Sequence, residues 1–199
     1  MTGERPAPGA DRPPTDPPPA APTGVDRAGA DPAAILAALK AAGQTVAVAE
    51  SVTGGLLSAA LSEPAGASAV FRGGLVVYAT DLKASIAGVP APLLAAEGPV
   101  SPDVAGALAA GARDRLAATY GLSLTGVAGP DRQEGIDVGV VYVGLAGPGG
   151  GEVRRLSLTG DRARIRAGSV AGALAVLAER LAVTAPDPRV PAVRRESAV

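Results

Sequence analysis

The sequence predicts an α/β protein, a three-layer α/β/α sandwich around a mixed sheet of about five or six strands. Short apolar runs alternate along the chain with stretches of helical periodicity, as expected where helices connect strands. Two later apolar runs flank a glycine-rich turn at residues 147–151, which is typical of an antiparallel hairpin. The helical connections favour parallel strands and the hairpin adds antiparallel ones, so the sheet is expected to be mixed.

The first helix has clear start and stop signals. Asp31 is an N-cap residue followed by Pro32 at the first helical position, and Gly43 is placed to end the helix. Between these signals, an apolar stripe at helical spacing is expected to face the core. The stripe consists of Ile35, Leu36 and Leu39.

The remaining elements follow from signals of the same kind. Ser101-Pro102 and Asp161 mark the starts of two long helices, while Pro64 and Gly88 end two short ones. In chain order, the sequence predicts a strand at 45–49, a helix at 55–62, a strand at 75–78, helices at 81–87 and 101–120, strands at 122–127, 138–146 and 153–158, and a helix at 161–181.

Both ends of the chain are predicted to be disordered tails. Residues 1–29 are rich in Pro, Ala, Gly and Asp and lack hydrophobic periodicity, so they cannot bury enough apolar surface to offset chain entropy. Residues 185–199, with their prolines and unpatterned charges, have the same character. The folded domain is therefore expected to span residues 30–184.

The composition excludes several classes of site. The chain has no histidine and no cysteine, which rules out a Ser-His-Asp triad, a cysteine nucleophile and the usual Cys/His zinc sites. With a formal net charge of -1 and 2% aromatic residues, it lacks the basic, stacking surface of a nucleic-acid-binding protein. No signal-peptide segment or membrane-length apolar run is evident, so we expect a cytoplasmic protein without a membrane partner.

Lysine is rare in this chain. Only Lys40 and Lys83 are lysines among the 18 basic residues. Because guanidinium does not give up its proton, a lysine in an arginine-rich chain can mark a site where a titratable amine matters. Codon bias is the alternative explanation, and it is the favoured one for Lys40, which lies at an exposed helix end.

Three polar clusters follow three predicted strands, at the sheet edge where the working loops of α/β proteins lie. Ser51, at a strand-to-helix transition, suits either a nucleophile or a phosphate ligand beside a helix N-terminus. Taken singly, each cluster also has an ordinary explanation as an N-cap, a half-buried tyrosine or a tight turn. The clusters are Glu50–Gly55, Tyr78–Lys83 and Thr125–Asp131.

Taken together, these motifs resemble one family. They are Ala-Glu-Ser-x-Thr-Gly-Gly at 49–55, Gly-Leu-Val-Val-Tyr at 74–78 with Lys83, Gly-Pro-Val-Ser at 98–101, Thr-Gly-Val-Ala-Gly-Pro-Asp at 125–131 and Gly-Asp-Arg at 160–162. In order and spacing they are similar to the CinA C-terminal domain family, the nicotinamide-nucleotide amidohydrolases or nicotinamide mononucleotide deamidases. The resemblance covers essentially the whole predicted domain. Because the segment before it is too short for the extra N-terminal domain of longer members, we expect the stand-alone form.

The resemblance implies an activity and its partners. The expected reaction is hydrolysis of the carboxamide of nicotinamide mononucleotide to nicotinate mononucleotide and ammonia, with pyridine nucleotide salvage and a damage response both open as its setting. It implies no metal and no cofactor. It also implies that the domain pairs into a homodimer.

Amide hydrolysis needs a nucleophile, a base and donors for the oxyanion. Without histidine or cysteine, a Ser-Lys dyad remains, with Ser51 as nucleophile and Lys83 as a base whose pKa must be lowered. Tyr78 is expected to orient or relay the proton, and Thr125 to bond the substrate amide or oxyanion. Backbone N–H groups of residues 52–55 are expected as further oxyanion donors.

The substrate phosphate needs its own ligands. Glycines at a helix N-terminus or in a tight loop expose backbone N–H groups, and Arg162 can add a bidentate contact, although it can equally pair with Asp161 or with solvent. The predicted substrate-binding residues are Thr53, Gly54, Gly55, Gly126, Gly129 and Arg162. Four other arginines are interpreted as solvated surface, namely Arg154, Arg155, Arg164 and Arg166.

Some positions depart from the family pattern and leave specificity open. Arg132 stands where the family usually has glycine, Val140 ends a segment that usually reads Pro-Val-Gly-Thr, and Leu158 matches a common phenylalanine. Two alternatives are therefore kept. One is a non-catalytic module that binds a nucleotide phosphate with Lys83 protonated, and the other is an amidase for a different small amide.

Overall fold

The computed structural model describes residues 30–183. Its elements are α1 (Pro32–Ala41), β1 (Val46–Glu50), α2 (Leu56–Ser62), a 3-10 turn (Ala67–Ala69), β2 (Phe71–Val76), α3 (Thr80–Ser85), α4 (Ala91–Glu97), α5 (Pro102–Arg115), β3 (Tyr120–Gly126), β4 (Val140–Gly147), β5 (Gly150–Ser157) and α6 (Arg162–Arg180). The two tails that the sequence predicts to be disordered lie outside the described residues.

The strands form one mixed sheet in the order β2-β1-β3-β4-β5. β1 pairs in parallel with β2 on one side and β3 on the other, while β4 and β5 are antiparallel to their neighbours. The hairpin between β4 and β5 turns over Pro148 and Gly149. The mixed five-stranded sheet confirms the predicted fold class.

Helices cover both faces of the sheet and make the three layers. α1, α2 and α6 pack on one face, and α5 lies across β1, β3 and β4 on the other. Side chains of β1 alternate between the two cores, with Val46 and Val48 on the first and Ala47 and Ala49 on the second. None of the helices within residues 30–183 is long and apolar enough to cross a bilayer.

α5 touches the sheet backbone to backbone. A Cβ at Gly144 in β4 would overlap the carbonyl oxygen of Ala105, and one at Gly121 in β3 would overlap that of Ala109. Only glycine leaves room for this approach. This close contact between α5 and the sheet fixes the position of the start of α5. Ser101, the N-cap of α5, is thereby held beside the end of β3.

The predicted N-caps are confirmed, but some boundaries are wrong. Asp31, Ser101 and Asp161 each accept a hydrogen bond from a backbone N–H of the helix that follows. The helix predicted to reach Tyr120 ends at Arg115, because Tyr120 already pairs with Thr45 at the start of β3, its N–H donating at 2.9 Å. β2 begins at Phe71 and ends before Tyr78, and α4 was not predicted at all.

Candidate active site

A pocket of about 180 Å³ lies at the carboxyl ends of β1 and β3, beside the segment that follows β2. All three polar clusters reach it, because the parallel pairing of β1 with β2 and β3 brings their ends to one edge of the sheet. The residues that line the pocket include Ser51, Tyr78, Lys83, Thr125, Gly129 and Arg162.

Ser51 and Lys83 are in direct contact at the base of this pocket. The Nζ atom of Lys83 lies 2.8 Å from Oγ of Ser51 and also donates to the carbonyl oxygen of Val77 at 3.0 Å. Lys83 is 1% exposed and Ser51 is 9% exposed. Burial lowers the pKa of the Lys83 amine from 10.5 to about 8, because a desolvated ammonium is disfavoured.

Two neighbouring parallel strands, β1 and β2, lead into the segments that carry these two residues. Ser51 directly follows β1, where its N–H donates to the carbonyl oxygen of Leu124 at 2.9 Å. Lys83 belongs to α3, which begins at Thr80 shortly after β2, and it is the buried residue of that helix. An alcohol beside a buried amine of lowered pKa is suited to general-base activation of the hydroxyl.

Glu50 is a buried residue of this site whose contacts the sequence interpretation missed. Its carboxylate is 0% exposed and accepts five hydrogen bonds from the first turn of α2 and the residues before it. The usable signal was its position, since a glutamate at the end of an apolar strand must be paired or capped.

Thr53, Gly54 and Gly55 follow Ser51 in the chain but do not line the pocket. The Thr53 hydroxyl and the Gly55 N–H both donate to Glu50, at 2.6 and 3.0 Å, and the Gly54 N–H donates to the carbonyl oxygen of Ser51 at 3.2 Å. These groups are therefore already occupied within the protein. Among the residues that the structure describes, the N–H groups of Val52 and Thr53 make no such internal bond, and Val52 lines the pocket.

Arg166 is half-buried, in contrast to the solvated position expected for it. It donates to the carbonyl oxygen of Thr53 at 2.6 Å, and its Nε is buried without a hydrogen-bond partner among the described residues. The side chain thus braces the turn that follows Ser51 from the α6 side.

Tyr78 and Arg162 face each other at the mouth of the pocket. Arg162 donates to the Tyr78 hydroxyl at 2.8 Å and, through its other terminal nitrogen, to the carbonyl oxygen of Gly129 at 2.8 Å. Tyr78 is 58% exposed and makes no hydrogen bond to Ser51 or Lys83 within residues 30–183. The relay expected of Tyr78 is thus not formed in this arrangement.

Thr125, Gly126 and Gly129 lie on the opposite wall, at the end of β3. The Thr125 hydroxyl donates to the carbonyl oxygen of Pro99 at 2.7 Å, which fixes its rotamer. A side chain at Gly126 would crowd the backbone of Val140 and Val141, so glycine is required there. All three line the pocket, as does Val127.

The loop at residues 131–137, where Arg132 departs from the family pattern, is held by contacts within the loop. Arg132 pairs with Asp137 at 2.8 Å and donates to the carbonyl oxygen of Gly135 at 2.9 Å. Asp131 and Gln133, on either side of it, line the pocket. The cationic side chain of Arg132 is thus directed to its own loop.

Residues 30–183 contain no cluster of three or more Asp or Glu side chains that is suited to hold a metal ion. The ionisable groups of the pocket are the Lys83 amine, the Arg162 guanidinium, the Asp131 carboxylate and the Tyr78 phenol.

Comparisons with known proteins agree with this architecture. The sequence profile described as the CinA C-terminal domain matches residues 31–181. A CinA-like protein of Frankia casuarinae is 55% identical over 148 residues, which cover 74% of this chain and 34% of that protein. A CinA-like protein of an Anaeromyxobacter species is 52% identical over 136 residues, covering 68% of this chain and 33% of its own length. The chain thus spans about a third of these curated relatives.

Solved structures of similar size share the fold. A competence-damaged protein (CinA) superfamily protein from Klebsiella pneumoniae superposes with a TM-score of 0.74 at 32% identity, covering 76% of this chain and 95% of that one. The competence/damage inducible protein CihA from Agrobacterium tumefaciens gives a TM-score of 0.72 at 34% identity, covering 76% and 93%.

Proposed function

Because this chain belongs to the CinA C-terminal domain family, we propose that it is an amidohydrolase that converts nicotinamide mononucleotide to nicotinate mononucleotide and ammonia. The observation that carries the proposal is the 2.8 Å contact between the Ser51 hydroxyl and the buried Lys83 amine. This family includes amidohydrolases, and such a pair supplies both the nucleophile and the base that amide hydrolysis needs.

The first half of the reaction forms an ester. Neutral Lys83 takes the proton of Ser51 as Oγ attacks the carboxamide carbon, and a tetrahedral oxyanion results. The N–H of Val52, at the pocket wall, is a candidate donor to this oxyanion. The Thr125 hydroxyl gives its one proton to the carbonyl oxygen of Pro99, so its role is to accept a hydrogen bond from the substrate amide N–H. Lys83 then passes the proton to the amide nitrogen, the carbon–nitrogen bond breaks and ammonia leaves.

The second half returns the enzyme to its starting state. Lys83, neutral again, takes a proton from water as the water oxygen attacks the ester carbon. The proton passes to Ser51 Oγ as the ester bond breaks, and the carboxylic acid that forms loses its remaining proton to solvent and leaves as the nicotinate carboxylate. No oxidant, reductant or second substrate other than water is needed.

The size of the pocket supports a substrate that is only partly enclosed. At about 180 Å³, it is smaller than the roughly 300–1,000 Å³ that encloses a drug-sized ligand. It suits a pyridine carboxamide, with the ribose and phosphate at the mouth. Arg162 lies there and is the candidate phosphate ligand, since a guanidinium can bind phosphate through two parallel hydrogen bonds.

The test is release of ammonia from nicotinamide mononucleotide by the purified protein. Free nicotinamide and the dinucleotide are assayed beside it, because an amidase for another small amide would prefer one of these or neither. Binding of the mononucleotide by calorimetry without ammonia release would contradict the proposal and favour a non-catalytic nucleotide-binding module.

A further inference from the structure

We propose that Glu50 is a positioning residue that holds the Ser51 hydroxyl at the Lys83 amine. It does not face the pocket, and its contacts are all internal to the protein. The effect on turnover rests on the proposed function, whereas the effect on the geometry of Ser51 does not.

The carboxylate of Glu50 ties the end of β1 to the start of α2. One oxygen, Oε2, accepts from the Thr53 hydroxyl at 2.6 Å and from the N–H groups of Gly55 and Leu57 at 3.0 Å each. The other, Oε1, accepts from the N–H and the hydroxyl of Ser58, at 2.8 and 2.6 Å. A single side chain thus closes the turn in which Ser51 lies.

The main chain of Glu50 reaches the other half of the Ser51–Lys83 pair. Its carbonyl oxygen accepts from the N–H of Val77 at 2.8 Å, and the carbonyl oxygen of Val77 in turn accepts from Lys83 Nζ at 3.0 Å. Glu50 therefore connects, through two hydrogen bonds, to the amine that Ser51 contacts. Its side chain locates the alcohol and its main chain locates the base.

All five partners of the carboxylate are hydrogen-bond donors. Three of them are backbone N–H groups, which can only donate and cannot become acceptors. Each oxygen accepts at least one of these N–H groups. The amide nitrogen of a glutamine at this position would therefore face an N–H donor whichever way it turned. A buried clash of this kind is relieved only by moving the turn, and Ser51 is the residue next to it.

The experiment compares Glu50→Gln and Glu50→Asp with the wild type and with Val176→Ala. Aspartate keeps the charge but is one methylene shorter, so it restores some of the contacts. Val176 is fully buried in α6 and does not line the pocket, so its truncation controls for loss of stability alone. Folding is checked by circular dichroism and thermal unfolding.

Three experiments are made. Steady-state kinetics give kcat and KM for nicotinamide mononucleotide, labelling of Ser51 by a small fluorophosphonate gives a rate, and a crystal structure gives the distance from Ser51 Oγ to Lys83 Nζ. For Glu50→Gln we expect kcat to fall about 100-fold, because a displacement of about 1 Å has an effect of that size, while KM changes less than about threefold. Labelling slows in parallel, and the distance exceeds hydrogen-bond range. For Glu50→Asp we expect values between those of Glu50→Gln and the wild type. For Val176→Ala we expect the wild-type kinetics, labelling rate and Ser51–Lys83 distance.

An unchanged Ser51–Lys83 distance in folded Glu50→Gln overturns the proposal whatever the kinetics show. So does a loss of activity no greater than that of Val176→Ala at the same folded fraction. If the wild type does not hydrolyse the mononucleotide, the proposed function fails, and the labelling rate and the distance still decide the role of Glu50. If Glu50→Gln does not fold, Glu50→Asp decides it by the same two measurements.

Discussion

Arg162 donates a 2.8 Å hydrogen bond to the hydroxyl of Tyr78 across the mouth of the pocket, joining residues 84 positions apart in the chain. The same guanidinium also reaches the carbonyl oxygen of Gly129 at 2.8 Å. It therefore links the segment after β2 to the loop after β3, at the place where the proposed substrate would present its phosphate.

Replacing Arg162 with alanine is expected to raise KM for nicotinamide mononucleotide by about 10- to 100-fold, the range of a lost charge-assisted contact. The value of kcat should change much less. Steady-state ammonia release measures both. An equal loss with nicotinamide riboside, which lacks the phosphate, would contradict the assignment of Arg162 to the phosphate.

The activity should rise with pH in the range where Lys83 loses its proton. Because burial lowers the pKa of Lys83 to about 8, the active neutral amine increases about tenfold per pH unit below that value and levels off above it. The measurement is kcat/KM between pH 6 and pH 10. A profile that falls over this range would require a protonated Lys83 and exclude its role as the base.

The same pKa predicts a pH dependence of stability. The Lys83 amine has a lower pKa in the folded protein than its usual 10.5, so the unfolded chain binds more protons between about pH 8 and 10.5 and stability should rise across that window. Thermal unfolding of the wild type and Lys83→Met at several pH values tests this. The rise should be absent in Lys83→Met.

Ser51→Ala and Lys83→Arg should each reduce kcat to about one-thousandth or less, because one removes the nucleophile and the other keeps a charge that cannot be given up. The chain offers a matched control in Lys40→Arg. Lys40 is its other lysine, exposed on the last turn of α1, and this substitution should leave kcat unchanged. Substantial turnover by Lys83→Arg would exclude the dyad.

Arg132→Gly removes the ion pair with Asp137, whose side chains are 63% and 72% exposed. An exposed pair contributes about 1 kcal/mol or less to stability, so thermal unfolding should change little. KM should rise by a few-fold, since Asp131 and Gln133 of the same loop line the pocket. An unchanged KM would show that this loop is held by other contacts.

Gly144→Ala should lower the free energy of unfolding by about 1–3 kcal/mol, because the new methyl group would overlap the backbone of α5. Gly106→Ala is the control, since its Cβ would lie at an ordinary 3.5 Å from Val153. Within α5 it should be neutral or stabilising by up to about 1 kcal/mol. Urea unfolding of both variants gives the comparison, and equal destabilisation would contradict the close helix–sheet contact.

The order of elements was predictable because apolar periodicity and caps are local signals. Asp31, Ser101 and Asp161 cap their helices as predicted, since an N-cap needs only the residues beside it. The predicted end of α5 was wrong because Tyr120 belongs to β3, where it pairs with Thr45, a residue distant in sequence. Pairing of that kind cannot be read from a local window.

The sequence could indicate which residues reach the candidate site, but not the contacts that they make there. Ser51 and Lys83 each follow a predicted strand, which places both at one edge of the sheet, whereas the 2.8 Å contact depends on the pairing of β1 with β2 and on the burial of Lys83 in α3. The glycines after Ser51 looked like phosphate ligands because an open helix N-terminus binds anions. Glu50 occupies that helix start instead, and only the three-dimensional arrangement reveals it.

The two lysines differ in exposure, and this difference can be used to detect transient opening of the structure around Lys83. A bulky amine-acylating reagent meets the Lys40 side chain in the native state at once, but it meets Lys83, at 1% exposure, only when the structure transiently opens. Opening hydrates the Lys83 amine and removes the desolvation that lowers its pKa, so the two lysines then have the same intrinsic reactivity and differ only in access. The ratio of acylation at Lys83 to acylation at Lys40 therefore measures how often the structure around Ser51 opens, and no engineered label is needed.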